Sequence, residues 1–588
     1  MTVQPVPVGL RVRNCLTRLS LTVALVAACV LACAGASAAG VTAIVGATVL
    51  HPELEGEAAV ARDNTILIEG NRITTVGPAT RTRIPRGATV IDAHGKWVIP
   101  GLIDSHVHFF QSGDLYTRPD VVDLNSLVPY AAEVRRNQAW LPQTFRVYLA
   151  SGVTSAADVG GPFWNFEVRD AARASVAAPR VATTGPLISM IARPQLDLGD
   201  PPIIRIESPQ AARELVAREL PRKPDYIKVW YIHQPGDDLA AQEAIVRATA
   251  DAAHSAGLRL AVHATELLVA KSALRAGADY LVHSVQDEPL DEEFIALARA
   301  RNILYCPTLF VVSGYGYALS GLWQPTEAEQ RLADPEVLAR LHLPEGTPTD
   351  KLPERMRKLL AEHRAPALPQ VAMQNLLKVW DAGITVVMGT DAGNIGTVHG
   401  PSVFREMDFM QRSGLTPLQV LRSATVNGAL TMGVTDLDAS LALAEKSGGQ
   451  CVVPKMAVPG VGWLAYCKDT EGHIFGMMQN DPSAASIQAP PAPEHRLHVV
   501  GERVYILAQA LSRRNSARSE DRSNLRELHW RHGHRAKHQL ESIVRSRIVR
   551  RGNNQHRIGV HLAGRKVCQR RWTLTSIQNS HAGLQQSL

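Results

Sequence analysis

Residues 100–108 read Pro-Gly-Leu-Ile-Asp-Ser-His-Val-His. Leu102–His106 is a short apolar run of strand character, and it closes on His106-Val107-His108. Residues two apart on a strand face the same side, so His106 and His108 can grip one ion together. Upstream, from Val41 to Pro100, β-rich runs at Thr42–Val49, Thr65–Glu69, Arg72–Val76 and Thr89–Asp92 are punctuated by Gly, Asn and Pro, which predicts a small sheet.

Downstream the rhythm changes. Short apolar runs alternate with longer helical patterns, the mark of βα units. Strands are predicted at Leu102–His106, Val153–Val159, Arg180–Thr184, Tyr226–Tyr231, Arg259–His263, Tyr280–His283, Ile303–Pro307 and Thr385–Thr390. Helices are predicted at Pro209–Glu219, Ala240–Ala256, Leu267–Ala276 and Thr416–Ala429, and Tyr315–Pro366 reads as a long Pro-rich excursion. Eight βα repeats in about 330 residues is the scale of an α/β (β/α)8 TIM barrel with insertions.

The polar residues that interrupt these runs fall at strand C-termini, where such barrels keep their catalytic groups. They are His106 and His108 after the first strand, His263 after the fifth, His283 after the sixth and Asp391 after the eighth. Lys228 stands alone inside the apolar fourth strand. Each has an ordinary explanation taken singly: a hydrogen-bonded core histidine, a snorkelling lysine, a helix-capping aspartate. Six such residues on five strand ends make those explanations improbable together. Tyr231, three residues beyond Lys228, is placed to donate a hydrogen bond to a substrate carbonyl or carboxylate. His399, in the loop after the eighth strand, is placed to line the site, with loop packing an equal alternative for both.

The stretches PGLIDSHVH, DYIKVW, AVHATE, ADYLVHS and VMGTDAG, with SATVNGAL near Ala429, resemble the amidohydrolase superfamily from Val41 to Val434. Within it the likeness is to the imidazolonepropionase-like branch that includes metal-dependent prolidases. The resemblance implies a hydrolase with two divalent metal ions. His106, His108 and Asp391 would hold the buried ion and His263 and His283 the exposed one, with Lys228 carboxylated to bridge them. Zn is the default for such ligands, and Mn or Co is workable. Two cations would acidify a shared water toward neutrality, and Asp391 would take its proton and pass it to the departing nitrogen. The implied substrate is a small amide, such as a dipeptide or N-acyl amino acid, and a cyclic amide or lactone is the nearest alternative. A one-metal enzyme and a catalytically inactive binding protein also remain open.

The ends of the chain depart from that pattern. Residues 1–38 read as an export signal, with Arg11, Arg13 and Arg18 before the apolar run Leu19–Leu31 and a small-residue cleavage pattern at Ala36-Ser37-Ala38. Periplasmic or secreted localisation follows, and Val26-Ala27-Ala28-Cys29 leaves lipid anchoring open. No later stretch suits a transmembrane span. The strand-rich return expected after the barrel (100–434), which would complete the sandwich begun by residues 41–99, is absent. The small β-sandwich is therefore expected to be incomplete, with an unpaired edge and an apolar face. Residues 437–484 instead resemble half of a βαβββ glyoxalase/bleomycin-resistance module, with strands at Gln450–Pro454, Gly462–Lys468 and Ile474–Gln479 but no metal-binding Glu on the last.

Residues 485–588 hold 17 Arg and 2 Lys against 6 Asp and Glu, so they carry more than the whole chain's net charge of +7. This tail reads as a disordered or non-native extension. Nucleic-acid binding is the competing reading, but no recognition motif supports it. The four cysteines beyond the signal form no dense framework, so disulfides are not how the fold is built. Across the 588 residues, 45% are apolar and 20% charged, ordinary for a globular chain with a sizeable core. Homo-oligomerisation is open.

Overall fold

The computed structural model describes residues 40–432 apart from 71, together with residue 441 and four later strands. These all lie in the first of two compact units, residues 1–507. The signal, the helix expected ahead of Gln450 and most of the basic tail lie outside the described residues.

The first sheet is built on β1 (Val41–Leu50), which pairs antiparallel with β2 (Val60–Glu69), itself paired to β3 (Arg72–Pro78). On its other side β1 takes two parallel partners in succession, β4 (Thr89–Asp92) and β5 (Trp97–Ile99). Ile44, Ala47, Val49, Ile66, Ala93 and Val98 form its small core.

Eight parallel strands follow at the predicted places: β6 (Leu102–Val107), β7 (Val153–Asp158), β8 (Arg180–Thr183), β11 (Ile227–Trp230), β12 (Leu260–His263), β13 (Tyr280–Val282), β14 (Leu304–Cys306) and β15 (Thr385–Val386). Between β8 and β11 lie two short strands that the sequence pattern missed, β9 (Leu187–Ser189) and β10 (Ile203–Arg205). At three residues each, they are too short to show a period. β6-β7-β8 forms one sheet, and β10-β9-β11-β12-β13-β14-β15 the other. Backbone bonds join the two sheets at both junctions. The Asp225 amide donates to the Thr183 carbonyl at 2.9 Å, and the Ser105 and Asp391 amides donate to Met388 and His106 at 2.9 and 2.7 Å. The arrangement is TIM-barrel-like.

Strand alternation sorts the side chains. Ile227, Val229, Leu260, Val262, Leu281 and Tyr305 face the helices in the main core. Tyr226, Ala261, Tyr280, Val282, Leu304 and Cys306 pack together on the opposite, inner side. The helices Pro209–Glu219 and Leu267–Ala276 run as expected, whereas the predicted helix Thr416–Ala429 is split into Pro417–Ser423 and a 3-10 turn at Gly428–Met432. The excursion after β14 contains four short helices between Phe310 and Glu362 rather than bare loop. Arg340 pins it down by pairing with the buried Asp114 and Glu133.

Further on, β16 (Gln450–Val458), β17 (Gly462–Lys468) and β18 (Ile474–Asn480) form an antiparallel sheet in chain order. A short piece of the basic tail, β19 (Tyr505–Ile506), pairs antiparallel with β5. The edge expected to be unpaired is therefore partly covered. Apolar side chains stay exposed on both sides of this sheet: Val90 is 55% exposed, Ile91, which faces the other way, 40%, and Trp97 37%. Val90→Lys should reduce self-association of the protein, measured by light scattering. It should shift unfolding free energy by no more than about 0.5 kcal/mol. Undiminished association would locate the sticky surface elsewhere.

Candidate metal centre

The site grows from β6. Asp104, His106 and His108 share the inward face of that strand by alternation, and all three are buried. The His108 Nδ1–H donates to the Gly160 carbonyl at 2.7 Å, which leaves its Nε2 as a bare acceptor. That Nε2 lies 3.4 Å from His106 Nε2, and Asp391 Oδ1 is 3.2 Å from each. Burial pushes the His106 imidazole down to about 4, so it is neutral near pH 7. Burial alone would raise the Asp391 carboxyl, but the His106, His108 and His283 rings outweigh it and hold the group well below the usual carboxylate range.

Two imidazole Nε2 atoms and a carboxylate oxygen therefore converge at a buried position. Asp391 Oδ1 and His106 Nδ1 have no hydrogen-bond partner among the described residues. Such a cluster suits a cation. Four ligands at the usual 2.0–2.1 Å around a tetrahedral ion stand about 3.3 Å apart, which is the spacing of these three atoms.

The other expected ligands come to the same place. The rings of His108, His106, His283 and His263 form a continuous arc, with successive centroids 5.2, 4.9 and 4.4 Å apart. His106, His283 and Asp391 each offer a ligand atom within 4.8 Å of the others. His263, which ends β12, has a buried Nε2 without a partner. His283 follows Val282, which already faces inward, so plain alternation would turn it outward. Its φ of +75° breaks the alternation, and its Nδ1 meets the Thr308 hydroxyl at 2.6 Å. Lys228 is 1% exposed on the inner face of β11, and its charge is felt by His106, His263 and His283. Burial pushes its ammonium down to about 7, with Asp391 opposing.

Tyr231 and His399 are not part of this cluster. Tyr231 is an odd number of residues from Lys228, so alternation sends it to the opposite face. Its hydroxyl bonds Ser272 on the helix Leu267–Ala276, at 3.0 Å. His399 uses both ring nitrogens in packing. Its Nε2–H donates to the Gln111 carbonyl at 2.7 Å, its Nδ1 accepts from the Tyr148 hydroxyl at 2.9 Å, and the ring stacks on Phe109. The alternative of structural packing holds for both in this geometry.

The sequence reading passed over Asp104. This buried carboxylate accepts from the Thr390 amide at 2.9 Å, the Thr390 hydroxyl at 2.6 Å and the His106 amide at 3.3 Å. It ties the two ends of the barrel-like arrangement together at the residue before Asp391. Gly393 seals the same junction. Its φ is +108°, and a Cβ there would sit 2.4 Å from the His108 carbonyl oxygen. Next to it, Asn394 accepts from Arg118 at 2.7 Å. A lone Asp inside an apolar strand, in phase with two histidines, was the available signal for Asp104.

A model of the amidohydrolase family matches residues 97–439, more than half of the chain. The chain belongs to the amidohydrolase family. Among curated proteins, this amidohydrolase is 44% identical over 59 residues to an imidazolonepropionase of Chloroflexus aggregans, covering 10% of this chain and 14% of that one. It is 42% identical over 62 residues to the imidazolonepropionase of Stenotrophomonas maltophilia, covering 10% and 15%. The chain thus spans about a seventh of the length of these relatives. Among solved structures, a putative prolidase of Bifidobacterium longum is 24% identical with a TM-score of 0.46, covering 67% of this chain and 84% of that one. A Xaa-Pro dipeptidase with bound methionine in its active site is 20% identical with a TM-score of 0.47, covering 67% and 90%.

Asp104→Ala should leave two Thr390 donors without an acceptor and loosen the turn that carries Asp391. Affinity for divalent metal, read by chelator competition, should fall about 10- to 100-fold. Unchanged affinity would make Asp104 a purely structural group.

Proposed function

We propose that this amidohydrolase is an exported enzyme that uses two divalent metal ions, zinc by default, to hydrolyse a carbon–nitrogen bond in a small amide such as a dipeptide or N-acyl amino acid. The observation that carries the reading is the convergence of His106 Nε2, His108 Nε2 and Asp391 Oδ1 at 3.2–3.4 Å. We read the eight parallel strands as a closed (β/α)8 barrel, supported by the backbone bonds across both junctions.

When bound, such ions polarise a carbonyl and lower the pKa of water. The chain supplies the rest. His106, His108 and Asp391 would hold the inner ion, and His263 and His283 the outer one. Lys228 is suited to a modification that a surface lysine resists. Its amine, near neutral at pH 7, adds to the carbon of CO2 and releases a proton, leaving a carbamate whose two oxygens can span two ligand positions. Asp391, ionised and unpartnered at Oδ1, would accept a proton from the attacking water and return it to the leaving nitrogen.

A one-ion reading draws on the compact trio His106, His283 and Asp391. Metal analysis of the purified chain separates the possibilities: two ions per chain, one, or none for an inactive binding protein. His106→Ala and Asp391→Ala should lose metal, and hydrolysis in a screen of dipeptides and N-acyl amino acids should fall at least about 100-fold. Lys228→Ala should lose the second ion. Metal-stripped protein given metal at a fixed concentration of dissolved CO2 should regain activity faster as pH rises through about 7, because the uncharged amine fraction grows there. Unchanged turnover in Lys228→Ala would remove the bridged mechanism.

A further inference from the structure

Two guanidinium groups share one carboxylate beside the metal centre. Arg118 is buried and holds both oxygens of Asp120, through Nε at 2.7 Å and Nη2 at 2.8 Å. Its Nη1 bonds the Tyr315 hydroxyl and Asn394. Arg193, in the segment after β9, approaches the same carboxylate from elsewhere. Its Nε is 3.4 Å from Asp120 Oδ2 but makes no hydrogen bond, and it is buried. Its Nη1 makes a long hydrogen bond to the Ala192 carbonyl at 3.4 Å. Arg118 thus takes both oxygens of Asp120 in hydrogen bonds, and Arg193 keeps only a looser ion pair to the same carboxylate. Partial burial acts against the Arg193 charge, Asp120 supports it, and like-charge repulsion from Arg118 works against it to a lesser extent.

The position of Arg193 gives that imbalance a use. Its guanidinium lies over the Trp230 ring, 5.0 Å from the centroid. Trp230 is two residues from Lys228 on β11 and so shares its inward face. Its ring meets His263 edge-on, 6.0 Å between centroids. A positively charged fork therefore stands on an aromatic platform that abuts a metal-ligand histidine, with donor capacity to spare. Planar bidentate pairing with a carboxylate is what such a fork does best.

We infer that Arg193, held over Trp230, is a specificity-determining residue that receives a free carboxylate of the substrate and so selects anionic amides over neutral ones. This rests on the proposed function and narrows its substrate class.

The test is calorimetric binding of N-acetyl-L-leucine and its neutral amide, N-acetyl-L-leucinamide, to the metal-loaded full chain and to Arg193→Met and Arg193→Lys. The wild type should bind the acid about 10- to 100-fold more tightly than the amide. Arg193→Met should remove that preference with little change for the amide, and Arg193→Lys should retain part of it. Equal binding of acid and amide by the wild type, or a preference that survives in Arg193→Met, would overturn the inference. So would an equal loss for both ligands, which marks a structural role. An acid preference in a protein that hydrolyses no dipeptide or N-acyl amino acid would leave the anion subsite standing while the proposed hydrolysis failed.

Discussion

Buried lone pairs need a counterpart, and the molecule is organised around that need. His106, His108 and Asp391 bring two imidazole nitrogens and a carboxylate oxygen within 3.4 Å of one another. Burial keeps His106 uncharged at neutral pH, so it brings at most one N–H to the group. Leaving such acceptors unsatisfied costs several kcal/mol in a low-dielectric interior. The fold must hold them against their mutual repulsion, which a cation would relieve. That explains the weight of structure behind the site: Asp104 clamping Thr390, the Gly160 carbonyl fixing the His108 tautomer, and Gly393 letting two loops close to contact distance.

Alternation along the strands does most of the positioning. Asp104, His106 and His108 on β6, Lys228 and Trp230 on β11, and His263 on β12 all face inward because the side-chain period of a strand is two. The same rule removes Tyr231 from the site. His283 is the exception, and its left-handed backbone marks where the period is broken to turn a further histidine inward. Asp391 also has a positive φ, of 60°, so two of the six cluster residues sit in a region that non-glycine residues avoid.

The legible part of the sequence was the part governed by this period. Eight parallel strands could be read from their apolar runs, and His106, His108, Lys228 and His263 stand in phase on the inward side of theirs. Tyr231 was misplaced because distance along the chain was weighed there without phase. His399 turns on a pairing with Gln111 across 288 residues that no local pattern encodes, whereas Asp104, although its partner Thr390 is 286 residues away, stood in phase with His106 and His108 and could have been read. The strands β9 and β10 were too short to carry a period. The left-handed turn at His283 has no sequence mark, because histidine itself does not announce a positive φ.

Chemistry and selectivity are therefore written in different parts of the chain. The ligand residues belong to strand ends, where backbone hydrogen bonds fix each Cα and leave little freedom for drift. Arg118, Asp120, Arg193 and Asn394 belong to the loops beyond those ends, and they are held by one another rather than by a sheet. One carboxylate between two guanidiniums balances only one of the two charges. Such a cluster can change its net charge by a single loop substitution without disturbing a ligand. On the proposed function, loop substitutions of this kind would turn the same barrel-like scaffold toward anionic or neutral substrates.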